Sequence, residues 1–161
     1  MTRDADSKTA WELIEKIKFC MLVTHDSKAG ELRARPMSAD VNVDDEAIYF
    51  LTDVRQHKDD EIEDNQNVCL TFADTGSQKY VSVTGIATIS DDREKIAELW
   101  SPAARVWWDS KDDPNVRVLH VTPLRAEYWD SPGSIVTHIK MAAAVLTGTR
   151  PNLEASKKVD M

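Results

Sequence analysis

Short apolar runs separated by turn residues, with no alternation of strand and helix, constrain the fold of this 161-residue chain most strongly. A parallel α/β sheet needs a crossover, usually helical, between successive strands. Helices are predicted instead only at the start, middle and end of the chain. The pattern favours an α+β, mainly β domain, and closing its sheet into a small barrel would remove most exposed edges. The six predicted strands span residues 19–24, 31–43, 47–52, 67–73, 80–90 and 117–129.

The predicted helices rest on capping patterns. Thr9 and Glu12 form a capping-box pattern that predicts a helix over 9–18. Asp53 and Gln56 form a weaker cap for a helix over 54–64. Two more helices are predicted, one after Asp91-Asp92 and one that ends at Gly148.

The length and the composition indicate one domain over residues 1–161, with a polar and loosely held tail over 149–161. The formal net charge of −8 argues against a nucleic-acid or membrane-surface partner. Neither a signal peptide nor a run of transmembrane length is expected. Cys20 and Cys69 each lie in an apolar run, which is typical of buried free thiols in a reducing, cytoplasmic compartment.

A cluster of cations stands out in this acidic chain. Arg33 and Arg35 share one face of a predicted strand, and Thr52 is followed six residues later by Lys58 at a helix start. This arrangement predicts a phosphate cradle in which Arg35 and Lys58 supply charge-assisted hydrogen bonds. The alternative is a solvated strand face beside an ordinary charged helix surface.

Two other kinds of chemistry have little support. The four histidines lie far apart without metal-ligand spacing, so no metal site is predicted. No nucleophile-elbow serine and no activated cysteine is present, so no catalytic residue is named. The tryptophans between Trp100 and Trp108 and the pair Tyr128-Trp129 could form a flat wall for a planar ring, although core or dimer-interface packing is the commoner fate of such residues.

Several motifs taken together resemble the pyridoxamine 5'-phosphate oxidase-like split barrels that bind flavin, in particular their bacterial general stress protein branch. The resemblance covers nearly the whole chain, in order. It rests on Arg35-Pro36-Met37-Ser38, Thr52 with Lys58, Tyr80–Gly85, Glu127–Asp130, Leu99–Pro102, Asp112–Pro114 and Lys157–Asp160. It implies a six-stranded FMN-binding split β-barrel with flanking helices, and a homodimer with FMN at the interface.

The resemblance also implies roles for single residues. Arg35 and Lys58 match phosphate ligands, and His57 stands where the oxidase has a second basic residue. Gln56 replaces the usual serine, and Tyr80 replaces a glutamine that touches the ring. The remaining implied cofactor residues are Pro36, Met37 and Ser38 beside the isoalloxazine ring, Leu51 and Thr52 beneath it, and Trp129 from the partner subunit.

The chain departs from the true oxidase after Trp129, where an alanine-rich helix replaces the arginine-rich segment that grips the substrate phosphate. Oxidation of pyridoxamine phosphate is therefore not expected. The resemblance implies an FMN-dependent oxidoreductase with a small-molecule electron donor or acceptor. The alternative is a stress protein that binds or senses flavin without turnover.

Overall fold

One antiparallel sheet of eight strands forms the centre of the molecule. The computed structural model describes residues 4–56, 58–132, 134–150 and 156–161, with the side chains at 58, 134, 135 and 137 outside that description. The strands are β1 (Phe19–Asp26), β2 (Glu31–Ser38), β3 (Asp40–Asn42), β4 (Ala47–Asp53), β5 (Asn67–Asp74), β6 (Lys79–Ser90), β7 (Val116–Asp130) and β8 (Lys157–Asp160). The helices are α1 (Ala5–Ile17), α2 (Lys58–Asp64), α3 (Arg93–Leu99) and α4 (Ser134–Thr147), with 3-10 turns at Val54–Gln56 and Pro102–Val106.

The sheet closes on itself through a single residue. Its strands pair in the order β2-β1-β5-β6-β7-β4-β3, so β2 and β3 are the two ends of the ladder. Only Ala39 separates these strands in the chain, and it is 3% exposed. The two ends must therefore meet at Ala39, which makes the sheet a split barrel. We call this junction, residues 36–40, the seam.

The long strand β7 pairs with two different strands along one of its edges. Its first half pairs with β4, its second half pairs with β8, and β6 runs along its other side. The β6–β7 register shifts between Thr84 and Gly85, opposite Pro123. An added Cβ at Gly85 would lie 2.8 Å from the Thr122 carbonyl oxygen, so glycine permits the close approach of the two strands.

Two apolar clusters lie on opposite sides of β4. The larger fills the barrel and includes Trp11, Leu22, Phe50 and Phe72. The smaller packs under α3 and the second 3-10 turn and includes Tyr49, Ile96, Ala104 and Trp108. Strand β4 is therefore buried on both faces, which explains its nearly continuous apolar run.

The fold class is confirmed as a mainly β α+β split barrel, with two differences in the strands. The predicted strand 31–43 is divided at Ala39 into β2 and β3. The expectation of a loosely held tail is wrong for residues 157–160, which form β8 against Arg125–Tyr128. Val159 is 7% exposed within the barrel cluster, and one apolar side chain in a charged segment gives little sequence signal.

Two predicted helix starts are also wrong. Helix α1 begins at Ala5 because Asp4 accepts a hydrogen bond from the Ser7 amide, while Thr9 lies inside the helix and donates to the Ala5 carbonyl. The predicted helix 54–64 divides into the 3-10 turn Val54–Gln56 and α2. Cys20 and Cys69 are free thiols as predicted, but only Cys20 is buried and Cys69 is partly buried. Burial raises the pKa of Cys20 to about 12.

Candidate functional site

An open cavity of about 560 Å³ lies beside the seam and is the candidate functional site. This volume is within the range of small-molecule and cofactor sites, roughly 300–1,000 Å³. The seam and the end of β4 form its walls, the 3-10 turn Val54–Gln56 lies at one part of the rim, and residues from the loop after α3 complete it. Five residues predicted to bind the cofactor line this cavity: Pro36, Met37, Ser38, Leu51 and Thr52.

Thr52 supplies a polar group without a partner in the cavity wall. The residue is 4% exposed, and its Oγ1 has no hydrogen-bond partner among the described residues. A buried hydroxyl without a partner loses its hydration without compensation, which is unfavourable for the free protein. A ligand with a polar group at this point would satisfy the hydroxyl.

Asp53 connects three parts of the cavity. Its Oδ1 accepts hydrogen bonds from the backbone N–H and from Nε of Arg55, both at 2.8 Å. Its Oδ2 accepts from Arg55 Nη2 at 2.5 Å and from Trp108 Nε1 at 3.0 Å. The Arg55 hydrogen bonds, with help from Trp108, outweigh burial and lower the pKa of Asp53 to about 2. The carboxylate is therefore ionised at neutral pH and stabilises the loop around it.

Two tryptophans give the cavity an aromatic wall. The 3-10 turn Pro102–Val106 begins with a proline, whose fixed φ suits a first helical position. Trp107, just after the turn, is 70% exposed, while Trp108 is 8% exposed and packs in the smaller apolar cluster. Both line the cavity, so this part of the tryptophan segment provides a flat surface for a planar ring.

Arg35, the predicted phosphate ligand, does not line the cavity. Its Nη2 donates to Glu61 Oε2 at 2.7 Å and its Nη1 donates to Thr24 Oγ1 at 2.9 Å. Arg33 joins the same network through Glu61 Oε1 at 2.9 Å. Burial acts to raise the pKa of Glu61, but hydrogen bonds from Thr24 and Arg35 and the nearby arginine charges hold it below its usual value.

The other predicted site residues fall in two groups. His57 lies outside the described residues, and for Lys58 only the backbone, as the first residue of α2, is described. Trp129 is half-buried on β7 opposite Tyr80 and does not line the cavity of its own chain.

Sequence reasoning missed several cavity residues. Asp53 was interpreted as a helix cap, but it organises Arg55 and Trp108. Arg55 has no predicted role, although it lines the cavity. An arginine two residues after an aspartate at a strand end could have signalled the local ion pair. Trp108 belongs to the predicted aromatic segment, but its hydrogen bond to Asp53 has no sequence signal, since 55 residues separate the two.

The cavity wall also contains Tyr49, whose titratable ring contacts two neighbouring side chains. Tyr49 stacks on His120 with the ring centroids 4.9 Å apart, and Lys95 Nζ lies 4.6 Å from the Tyr49 centroid. Burial raises the pKa of Tyr49. Because the pKa of Asp53 is lowered and that of Tyr49 is raised, neither group exchanges a proton near neutral pH.

Two features are absent from the part of the chain that the structure describes. In that part of the chain, no helix has the length and apolar character needed to cross a membrane. No group of three or more histidine, cysteine, aspartate or glutamate side chains there is arranged to hold a metal ion.

The chain is similar in sequence and in fold to known proteins. Over 83 residues the chain is 39% identical to general stress protein 26 of Bacillus subtilis (strain 168), an alignment that covers 47% of this chain and 56% of that protein. A crystal structure described as a general stress protein 26 from Jannaschia sp. superposes with a TM-score of 0.72 at 26% identity and covers 96% of this chain and 97% of that one. A general stress FMN/FAD binding protein from Xanthomonas citri superposes with a TM-score of 0.68 at 24% identity and covers 79% and 89%.

The fold and the cavity define a split-barrel protein with a cavity of small-molecule size beside the barrel junction. The chain belongs to the family described as pyridoxamine 5'-phosphate oxidase like, whose profile matches residues 5–152. Within that family it lies in the general stress protein 26 branch.

Proposed function

We propose that the protein binds FMN in the cavity beside the seam and acts as a flavin-dependent oxidoreductase on a small-molecule donor or acceptor. The observation that carries this proposal is the Thr52 hydroxyl, which is buried in the cavity wall without a partner among the described residues. The relative from Xanthomonas citri is described as binding FMN or FAD, which supports a flavin as the ligand.

The described residues offer a flavin both apolar surfaces and a hydrogen-bonding group. The seam residues Pro36, Met37 and Ser38, with Leu51, provide a mainly apolar surface, and Trp107 and Trp108 provide an aromatic one. Thr52 provides a hydrogen-bonding group in the wall of the same cavity. Such a combination of apolar walls with a few placed polar groups is typical of cofactor sites.

The protein's own part in the reaction is to bind, to orient and to exclude water. The flavin supplies the hydride or electron transfer. The apolar seam and the tryptophan wall remove water from one side of the site, while the Asp53 hydrogen bonds fix the rim loop. Since Asp53 and Tyr49 do not exchange protons near neutral pH, we assign neither of them a role as an acid or a base.

We further propose that the protein is a homodimer and that FMN lies at its interface. The chain carries exposed apolar side chains on α4, including Ile139, Val145 and Leu146 at 63%, 84% and 86%. Under this proposal Trp129 reaches the flavin of the partner subunit. A purely flavin-binding or flavin-sensing role is the second candidate, because the cavity offers no described group poised for proton transfer.

Spectroscopy of the purified protein tests these proposals. Titration with FMN should quench the flavin fluorescence in a saturable way, and FAD and riboflavin serve as comparison ligands. Anaerobic addition of NADH or NADPH should then bleach the bound flavin if the protein is an oxidoreductase. Binding without bleaching by either donor supports the sensing role, whereas the absence of binding by any flavin contradicts both.

A further inference from the structure

The segment over residues 99–112, between α3 and β7, separates its side chains by character. To the wall of the cavity beside the seam it contributes uncharged residues, namely Leu99, Ser101, Ala103, Ala104, Trp107 and Trp108. Its charged residues line a second cavity of about 430 Å³ instead, and these are Arg105, Asp109, Lys111 and Asp112. The whole segment is described, so the wall that it gives to the first cavity is free of charge.

The two neighbouring tryptophans of this wall differ in how they are held. Trp108 is 8% exposed, packs in the smaller apolar cluster and donates to Asp53 at 3.0 Å, so its ring is fixed. Trp107 is 70% exposed and is not among the described members of either apolar cluster. Because most of its surface is in contact with solvent, Trp107 lies at the opening of the cavity.

An aromatic ring at the opening suits a molecule that enters and leaves. A resident cofactor is held by buried walls, because such sites cover most of the surface of their ligand. Trp107 instead offers its indole face to solvent, and an indole face favours a planar partner through offset stacking. The wall beside it favours an uncharged partner, because a charged group would lose hydration there without compensation.

We propose that Trp107 binds the second substrate of the flavin reaction, a planar and uncharged electron acceptor of the quinone class, by stacking on its ring. This inference rests on the proposed function and names the substrate class of that same site. Reduction of a quinone takes two electrons and two protons from the reduced flavin and yields the hydroquinone. The electron donor of the proposed function, such as NADH, supplies the reduced flavin.

The test measures binding of two quinones to the oxidised, FMN-loaded protein by equilibrium dialysis, so that no electron transfer takes place. Menadione is uncharged, and 1,4-naphthoquinone-2-sulfonate has the same ring system with a negative charge. The variants are Trp107→Ala, Trp107→Phe and Ala103→Lys. Val106→Ala is the matched control, since Val106 is 79% exposed beside Trp107 and does not line the cavity. Flavin fluorescence and circular dichroism verify that each variant binds FMN and folds.

The wild-type protein should bind menadione more tightly than the sulfonate. Trp107→Ala should weaken menadione binding by about 5- to 20-fold, as for the loss of one stacked ring, and leave the FMN dissociation constant within about 2-fold. Trp107→Phe keeps a ring and should weaken menadione binding by less than about 3-fold. Ala103→Lys adds a positive charge to the wall and should reduce the preference for menadione over the sulfonate by about 5-fold or more. Val106→Ala should change none of these constants.

Three results would overturn the proposal. The first is an FMN-loaded wild-type protein that does not bind menadione or binds the sulfonate equally well. The second is a Trp107→Ala variant that retains the menadione affinity of wild type. The third is a Trp107→Ala variant that loses FMN affinity to the same extent, which would place the ring against the flavin itself. All three are distinct from failure of the proposed function, in which the wild-type protein binds no flavin.

Discussion

Arg35 and Glu61 are joined by a hydrogen-bonded ion pair of 2.7 Å, and this pair ties strand β2 to helix α2. The Glu61 side chain is 7% exposed and that of Arg35 is 17% exposed. Removing one partner of such a pair leaves the other charge poorly solvated, which is more costly than the pair itself is stabilising.

We therefore expect Glu61→Ala to lower the free energy of unfolding by about 2–4 kcal/mol, because Arg35 and Thr24 lose a shared acceptor. Urea unfolding followed by circular dichroism measures this change. Glu63→Ala is the matched control, since Glu63 is exposed on the same helix. A Glu61→Ala variant as stable as Glu63→Ala would show that the network does not hold α2.

The unpartnered hydroxyl of Thr52 leads to opposite effects on stability and on binding. In the free protein, Thr52→Val removes a buried polar atom that has no partner among the described residues, so stability should stay equal or rise by about 1 kcal/mol. FMN affinity should fall by about 5- to 10-fold, as for the loss of one neutral hydrogen bond. Calorimetry and fluorescence titration measure the two effects.

Thr71→Val is the control for this substitution, because Thr71 is exposed on β5. It should leave FMN affinity unchanged. A Thr52→Val variant that loses stability and keeps its affinity would mean that the hydroxyl serves the fold rather than a ligand.

The low pKa of Asp53 predicts a pH-dependent contribution to stability. Its folded value of about 2 lies below the unfolded value of about 3.9, so the stabilisation is fully present above pH 4 and is lost as the pH falls through 2. The free energy of unfolding of the wild-type protein should exceed that of Asp53→Asn by about 1–2 kcal/mol at pH 6, and this difference should shrink below pH 4. Urea unfolding at pH 6, 4 and 3 measures it.

Asp109→Asn provides the comparison, because Asp109 is exposed and adjacent to Trp108 in the chain. That substitution should change stability by less than about 0.5 kcal/mol at each pH. A difference between wild type and Asp53→Asn that stays constant across the range would contradict the assignment to an ionised Asp53.

Gly85 permits the close packing of β6 on β7. A Cβ at this position would lie 2.8 Å from both the Thr122 oxygen and Val121 Cγ1, and the first of these is backbone. Gly85→Ala should therefore destabilise the fold by about 1–3 kcal/mol. Gly76→Ala should change the stability of the fold little, since the nearest atom to its added Cβ is Asp74 Oδ1 at 3.5 Å. Thermal unfolding of the two variants measures this difference in stability and so tests whether the close packing of β6 on β7 depends on glycine.

The exposed apolar side chains of α4 allow a test of the proposed homodimer. A charge on Val145 or Leu146 would have to be buried in an interface formed by this helix. Val145→Glu and Leu146→Glu should therefore shift the protein from dimer to monomer in sedimentation velocity experiments. Thr75→Glu adds the same charge to an exposed turn and should leave the dimer intact. A wild-type protein that sediments as a monomer at every concentration contradicts the dimer.

The sequence allowed much of the barrel to be predicted, because strand periodicity and turn residues are local signals. The run Ala47–Thr52 was predicted as a buried strand, and it lies between the two apolar clusters. Of the candidate site, the stretch Pro36–Ser38 with Leu51 and Thr52 could be predicted, and all five residues line the cavity.

The remainder depends on contacts between residues that are distant in the chain. The hydrogen bond from Arg35 to Glu61 depends on where α2 packs, and 26 residues separate the two, while the phosphate contact of Arg35 stays a prediction. Val159 alone marks β8 as part of the core, and its partner Ala126 lies far upstream. Such pairings have no local pattern, so propensity and periodicity do not reveal them.

The closure of the barrel at Ala39 also limits how other protein chains can attach to this one. A sheet edge offers unpaired backbone groups to which another strand can add, and joining the two end strands at one residue reduces that exposure. Strand β8 pairs with β7 alone among the described strands, and three of its four residues are Lys157, Lys158 and Asp160. Charged residues of this kind disfavour strand addition and amyloid-like stacking. At β8, the charged residues therefore act against the addition of another strand.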